Sequence, residues 1–193
     1  AFRGVRRFLV VRDLYILFET DQGLAIVDQH ALHERVIYER LLQQWREGSV
    51  PIQGLLVPAL IDVPPADKEL LLDRCEELER CGLRIADFGG NTIKLEGYPA
   101  ALRHVDAKGL LEGFLVDLRE GQVPTEPEDL RERFHSAACR SAIMSGDRLT
   151  ESEIADLLEQ AATLVQPDNC PHGRPTVLNF SEAQLEHWFR RTL

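Results

Sequence analysis

Asp28, His30 and Glu34 fall where an apolar, β-type stretch gives way to a helical pattern. Residues four apart share a helix face, so His30 and Glu34 point together, and Asp28 sits at the mouth of the same helix. Two carboxylates and an imidazole converging in this way form a donor set for a divalent ion. Taken as one isolated helix, they read more readily as an N-cap residue followed by a hydrogen-bonded surface pair, and it is the residues elsewhere that shift the weight. A second group lies far along the chain, in Cys170-Pro171-His172-Gly173-Arg174-Pro175. A thiol and an imidazole two positions apart in a turn-rich loop can both face a metal, although Cys-x-His alone is a weak signal. Arg174 suits either a phosphate oxygen or a carboxylate that anchors its loop. Cys139, among alanines, reads first as a small core residue.

These residues need elements to hold them. Arg7 to Arg12, Tyr15 to Glu19 and Leu24 to Asp28 read as strands of an antiparallel meander, with Thr20-Asp21-Gln22-Gly23 turning between the last two. From Gln29 to Arg46, Ala31, Leu32, Val36, Ile37, Leu41, Leu42 and Trp45 recur at helical spacing, so strand passes directly to helix at Asp28. Leu55 to Val63 reads as a strand, bent or at an edge because of Pro58. Pro64-Pro65 opens a different block: a leucine-rich helix ending at Gly82, strands Leu83 to Phe88 and Thr92 to Gly97, and a helix near Asp106 to Gly121. Cys75 and Cys81 fall on the leucine-rich helix, where core packing is the default. After Pro124 to Pro127, Asp129 to Met144 reads as a helix. Capping boxes at Thr150-Glu151-Ser152-Glu153 and Ser181-Glu182-Ala183-Gln184 then open two more, with a strand at Thr176 to Phe180 between them. Leu185, Trp188 and Phe189 give the terminal helix an apolar stripe.

The 193 residues, 44% of them hydrophobic, can bury a real core as one large domain or two small ones. No apolar run approaches the roughly 20 residues that span a bilayer, and the chain begins without a signal sequence, so a soluble intracellular fragment is expected. The four cysteines fit no small secreted scaffold, which favours free thiols. A net charge of −10 argues against a domain that grips DNA by its own basic surface, because phosphate neutralisation needs clustered Lys and Arg.

Asp28-Gln29-His30-Ala31-Leu32-His33-Glu34-Arg35-Val36-Ile37-Tyr38-Glu39 resembles the signature DQHAxxExxxxE of endonuclease-active MutL mismatch-repair proteins, second glutamate included. Ala138-Cys139-Arg140 and Cys170-Pro171-His172-Gly173-Arg174-Pro175 resemble that family's other two site motifs, in the same order, so the resemblance runs over essentially the whole chain. It implies a bacterial, cytoplasmic and nucleoid-associated protein. The implied fold is α/β (α+β): a dimerisation and endonuclease subdomain from residues 1–63 and 125–193, with an external regulatory subdomain, 64–124, inserted between.

The resemblance further implies one metal site drawn from distant segments. His30, Glu34, Cys139, Cys170 and His172 are the candidate ligands, and Asp28 is the catalytic carboxylate that holds a second ion or orients water. Glu34 bridges, and Arg174 meets the phosphate. Mixed His, Cys and carboxylate donors favour zinc at the softer position, and an oxygen-rich second position suits manganese or magnesium. Gln29 and Glu39 complete the motif structurally; Glu39 pairs with Arg35 at four-residue spacing more readily than it ligates. Gln53-Gly54-Leu55-Leu56-Val57-Pro58 is similar to the glutamine-first peptide that docks on the replicative sliding clamp, so Gln53, Leu55, Leu56 and Pro58 are candidate clamp contacts, although a plain edge strand explains the same residues.

The expected function is metal-dependent nicking of one DNA strand in mismatch repair by a homodimer. Duplex DNA, the clamp, the ATPase half of the protein and a mismatch-recognition protein are the expected partners, and no membrane is among them. The rival is a non-catalytic dimerisation module whose ligands make a structural zinc site. Other zinc hydrolases are disfavoured, because neither His-x-Glu with Pro-Cys-x-x-Cys nor His-Glu-x-x-His is present.

Overall fold

The computed structural model describes residues 2–102, 106–119, 148–170 and 173–191, with only the backbone of Asp117. The fold is mixed α/β with antiparallel sheets, as expected. It divides into two compact units, Ala1–Val36 with Ala142–Leu193, and Ile37–Ser141. The first is therefore drawn from both ends of the chain, and the border between units falls inside a helix.

In the first unit, β1 (Leu9–Val11), β2 (Tyr15–Thr20), β3 (Gly23–Asp28) and β7 (Val177–Ser181) form a four-stranded antiparallel sheet in the order β1-β2-β3-β7. Alternation along the strands puts Ile16, Phe18, Ala25 and Val27 on one buried face. Against that face lie Leu32 and Val36 from α1 (Gln29–Arg46), and Ile154, Leu157, Leu158 and Ala161 from α5 (Glu151–Ala161). Burying each large aliphatic side chain contributes about 1.5–3 kcal/mol. The Thr150 capping box forms, its hydroxyl accepting from the Glu153 amide, as does the Ser181 box before α6 (Glu182–Trp188).

The second unit holds β4 (Ile52–Asp62), α2 (Pro65–Asp73), α3 (Cys75–Arg80), β5 (Arg84–Gly89), β6 (Thr92–Pro99) and α4 (Ala107–Arg119). Its sheet runs β4-β6-β5, and its core gathers Ile37, Leu41 and Trp45 with Leu71, Leu83, Ile93, Leu95 and Leu111. Asp67 joins α2 to α4 through a two-pronged ion pair, Arg119 donating from Nε at 2.8 Å and Nη2 at 2.5 Å, which holds the Asp67 carboxyl below its usual range.

Three expectations change. The leucine-rich helix is broken at Arg74 into α2 and α3, with a non-helical φ of −114° there. That break leaves Cys75 exposed rather than packed in the core, whereas Cys81 is buried and its thiol is pushed up to about 12 by desolvation. Trp188 and Phe189, expected on an apolar stripe, are exposed, with Trp188 edge-on to Phe180 at 5.5 Å. The expected helix from Asp129 to Met144 lies outside the described residues.

Gly23 sets how closely β7 approaches β3. Its φ is +145°, and a Cβ there would fall against the Phe180 carbonyl oxygen and 2.9 Å from the Glu182 amide nitrogen. Gly4, also at positive φ (+74°), has open space around the same position. Gly23→Ala is expected to lose roughly 2 kcal/mol more stability than Gly4→Ala, because backbone must move as well as strain. Urea unfolding followed by circular dichroism measures the difference; equal losses would remove Gly23 as the spacer.

Candidate functional site

Asp28 ends β3 and caps α1, its Oδ1 accepting from the Ala31 amide at 2.9 Å. Its own amide donates to the Thr176 carbonyl at 2.9 Å, and the next amide, Gln29, donates to the Leu14 carbonyl at 3.0 Å. The strand-to-helix junction is thus fixed from β7's side and from β2's side. Across the first two turns of α1, His30 Nε2 lies 3.1 Å from Glu34 Oε1. The helical spacing expected of this pair is present, but its character is not that of a surface pair. Glu34 is 1% exposed and His30 25%.

A buried carboxylate is costly unless opposite charge or donors meet it. Arg174 supplies charge, with Nη2 3.8 Å from Glu34 Oε1, while 62% of its own side chain stays exposed. The Arg174 guanidinium is held above its ordinary value chiefly by its hydrogen bond to Cys170, then by the charges of Glu34, Cys170 and Asp28. The loop that carries it is a narrow hairpin stem. Thr176 donates its amide to Asp168, Asn169 bridges Pro175, and the Cys170 amide donates to the Arg174 carbonyl at 2.8 Å. Gly173 takes φ +80°, a left-handed conformation that glycine adopts without strain, and its amide returns to the Cys170 carbonyl at 2.8 Å. Cys170 is buried and in no disulfide.

Two segments distant in sequence, one carrying Asp28, His30 and Glu34 and the other Cys170 and Arg174, therefore meet at one end of the first sheet. Their imidazole, carboxylate and thiol groups are the donor types that transition metals take. No three His, Cys, Asp or Glu among the described residues group as a metal site on their own. The expected ligands Cys139 and His172 lie outside the described residues. Glu39 belongs to the second unit. Sequence reasoning passed over Tyr15, the cross-strand partner of Asp28, and the Arg12-Asp13 turn just before it. A two-residue loop between apolar runs was the available signal.

In the second unit, Gln53 and Gly54 pair with Tyr98 and Gly97, pairing shifts register before Ala59, and Leu56 and Val57 stand out from edge strand β4 almost fully exposed. Leu55 packs instead against the core. The bend expected at Pro58 is thus a break in pairing on an edge.

A family model described as the MutL C terminal dimerisation domain matches residues 8–149. DNA mismatch repair protein MutL of Phenylobacterium zucineum is 38% identical over 182 residues, covering 94% of this chain and 29% of that protein. The MutL of Symbiobacterium thermophilum is 37% identical, over 98% of this chain and 30% of the relative. For Chlorobaculum tepidum the figures are 34%, 92% and 28%. The chain thus spans less than a third of the length of these curated relatives. It belongs to the MutL C-terminal dimerisation domain family.

Proposed function

We propose that this domain nicks one strand of duplex DNA during mismatch repair, as a metal-dependent endonuclease that works as a homodimer. The observation that carries this reading is the buried Glu34 carboxylate beside His30 on the helix that Asp28 caps, with Cys170 and the cationic Arg174 brought to it from a distant loop. The donor set fits a transition metal in chemistry. His30, Glu34 and Cys170, with Cys139 and His172, would hold zinc; Asp28 and Glu34 would hold manganese or magnesium. Bound there, divalent ions would supply a nucleophilic hydroxide and screen the charge developing on the phosphate.

The side chains do the rest. Asp28, anchored by its contact to Ala31, orients the attacking water and accepts its proton. Glu34 keeps the His30 ring in one orientation through the 3.1 Å contact. Arg174, exposed enough to reach substrate yet tethered by Cys170 and Glu34, binds a phosphate oxygen. With a net charge of −10, the chain holds DNA weakly by itself. Docking of Gln53, Leu56 and Pro58 on a sliding clamp, with Leu55 packed inward, together with the ATPase half of the protein and a mismatch-recognition protein, would raise the local DNA concentration. Such work belongs in the bacterial cytoplasm, at the nucleoid, and no described helix is long and apolar enough to cross a membrane.

One observation favours the rival, a dimerisation module with a structural zinc: Asp28 Oδ1 already caps α1. The two readings separate on supercoiled plasmid with manganese. Asp28→Asn keeps the cap oxygen and the volume but removes the base, so nicking should fall at least about a hundredfold with the fold unchanged. Undiminished nicking by the variant would leave only the structural reading.

For the dimer, the surface is the part of the outer sheet face away from the row of Asp28. Leu9, Leu17, Ile26 and Leu178 align in one cross-strand row, with Leu24 and Phe180 beside it. Leu9 and Leu178 are exposed apolar side chains that a second copy would cover. Wild type should sediment as a dimer at micromolar concentration, and Leu9→Asp with Leu178→Asp as the 21.9 kDa monomer. A dimer that survives both substitutions would place the interface elsewhere.

A further inference from the structure

The turn joining β1 to β2 is strained. Val11-Arg12-Asp13-Leu14 closes with the Leu14 amide donating to the Val11 carbonyl at 3.1 Å, and Arg12 and Asp13 take φ of 58° and 52°. Two successive left-handed residues make a type I′ turn, whose favoured pair is Asn-Gly because a Cβ is disfavoured there. Aspartate tolerates this conformation, but arginine is poorly suited to it, so the strain falls on Arg12. Strain of this kind concentrates where a side chain is needed for something other than folding.

The position of the turn indicates what that is. Leu14 accepts from the first amide of α1, so the turn abuts the Asp28 junction directly. Val11, Tyr15 and Asp28 form one cross-strand row on the outer face, with Tyr15 42% exposed. Arg12 follows Val11 at the far end of that row and is exposed, and Arg174 lies on the β7 side of Asp28. Exposed arginines thus stand on the β1 side and on the β7 side of Asp28, in a chain of net charge −10. Asp13, the carboxylate next to Arg12 in sequence, lies 3.9 Å from a third arginine, Arg148.

We propose that Arg12, presented by the strained turn, and Tyr15 form a DNA-backbone subsite next to Asp28. Two strand spacings, about 10 Å, separate β1 from β3, so the Arg12 contact falls on a phosphate close along the same strand to the one at Asp28. Tyr15, between them, offers a ring against sugar or an unstacked base. Both are positioning residues. The inference rests on the endonuclease reading for what happens at Asp28, but the subsite is defined by binding alone.

The variant Arg12→Asn with Asp13→Gly installs the preferred turn while removing one charge of each sign, so the net charge is unchanged and the fold is relieved. Its melting temperature should hold or rise. Its affinity for a fluorescent duplex at low salt should fall about five- to tenfold, and the slope of log affinity against log salt should become shallower by about 0.9, the signature of one lost phosphate contact. In manganese-dependent plasmid nicking the loss should appear in KM, with kcat preserved. Arg12→Lys, which keeps the charge, should retain the slope. A stabilised double variant with unchanged affinity and slope would overturn the subsite, as would a loss confined to kcat. Salt-dependent binding that is sensitive to Arg12, in a chain that never nicks, would uphold the subsite and remove the nuclease reading.

Discussion

The architecture of the site turns on one buried charge. Glu34 is 1% exposed at the end of the first unit's sheet, and a buried carboxylate is costly unless opposite charge or donors meet it. Its surroundings are arranged as compensation. His30 approaches from the same helix at 3.1 Å, and Arg174 at 3.8 Å from a loop some 140 positions later in the chain. Removing either neighbour would leave the carboxylate under-compensated, which usually costs far more than an exposed ion pair is worth. On the proposed reading, this cluster of imidazole, thiol and guanidinium around a carboxylate is what would meet a cation and a phosphate.

The remainder of the first unit supplies the precision such a cluster needs. Gly23 lets β7 close on β3, and the register that follows carries Val27 opposite Val177 and brings the Thr176 carbonyl to the Asp28 amide. From Thr176 the hairpin stem folds back to set Cys170 and Arg174. On the other flank, β2 delivers Leu14 to the Gln29 amide, so the first turn of α1 is held between two strands. Leu32 and Val36, on the opposite face of that helix, are locked into the core against α5. Site and core thus share one helix, and a packing change a turn away is felt at the donors.

Much of this was legible in the sequence because periodicity and spacing are local. The strand-to-helix switch at Asp28, the span of α1, both capping boxes and the pairing of His30 with Glu34 follow from residues a few positions apart. What was not legible depends on tertiary placement. Spacing gave His30 and Glu34 a common face but not Glu34's burial, which α1 acquires only by packing. The break at Arg74 that exposes Cys75 interrupts a leucine pattern that reads as continuous. The Arg12-Asp13 turn lacks the Asn-Gly pair that announces such a hairpin, so its geometry appears only when β1 and β2 pair. Arg174's role was open between phosphate and carboxylate, and its approach to Glu34 realises the second without excluding the first.

The central claim is that Glu34 and its neighbours form a metal centre. Crystals of the chain grown with zinc and soaked in manganese, with anomalous data collected at each metal's absorption edge, test it most directly. The account predicts a zinc peak held by His30, Glu34 and Cys170 together with Cys139 and His172, and manganese beside Asp28. Saturating metal with no anomalous peak within coordination distance of Glu34, or peaks only at surface carboxylates, would contradict it.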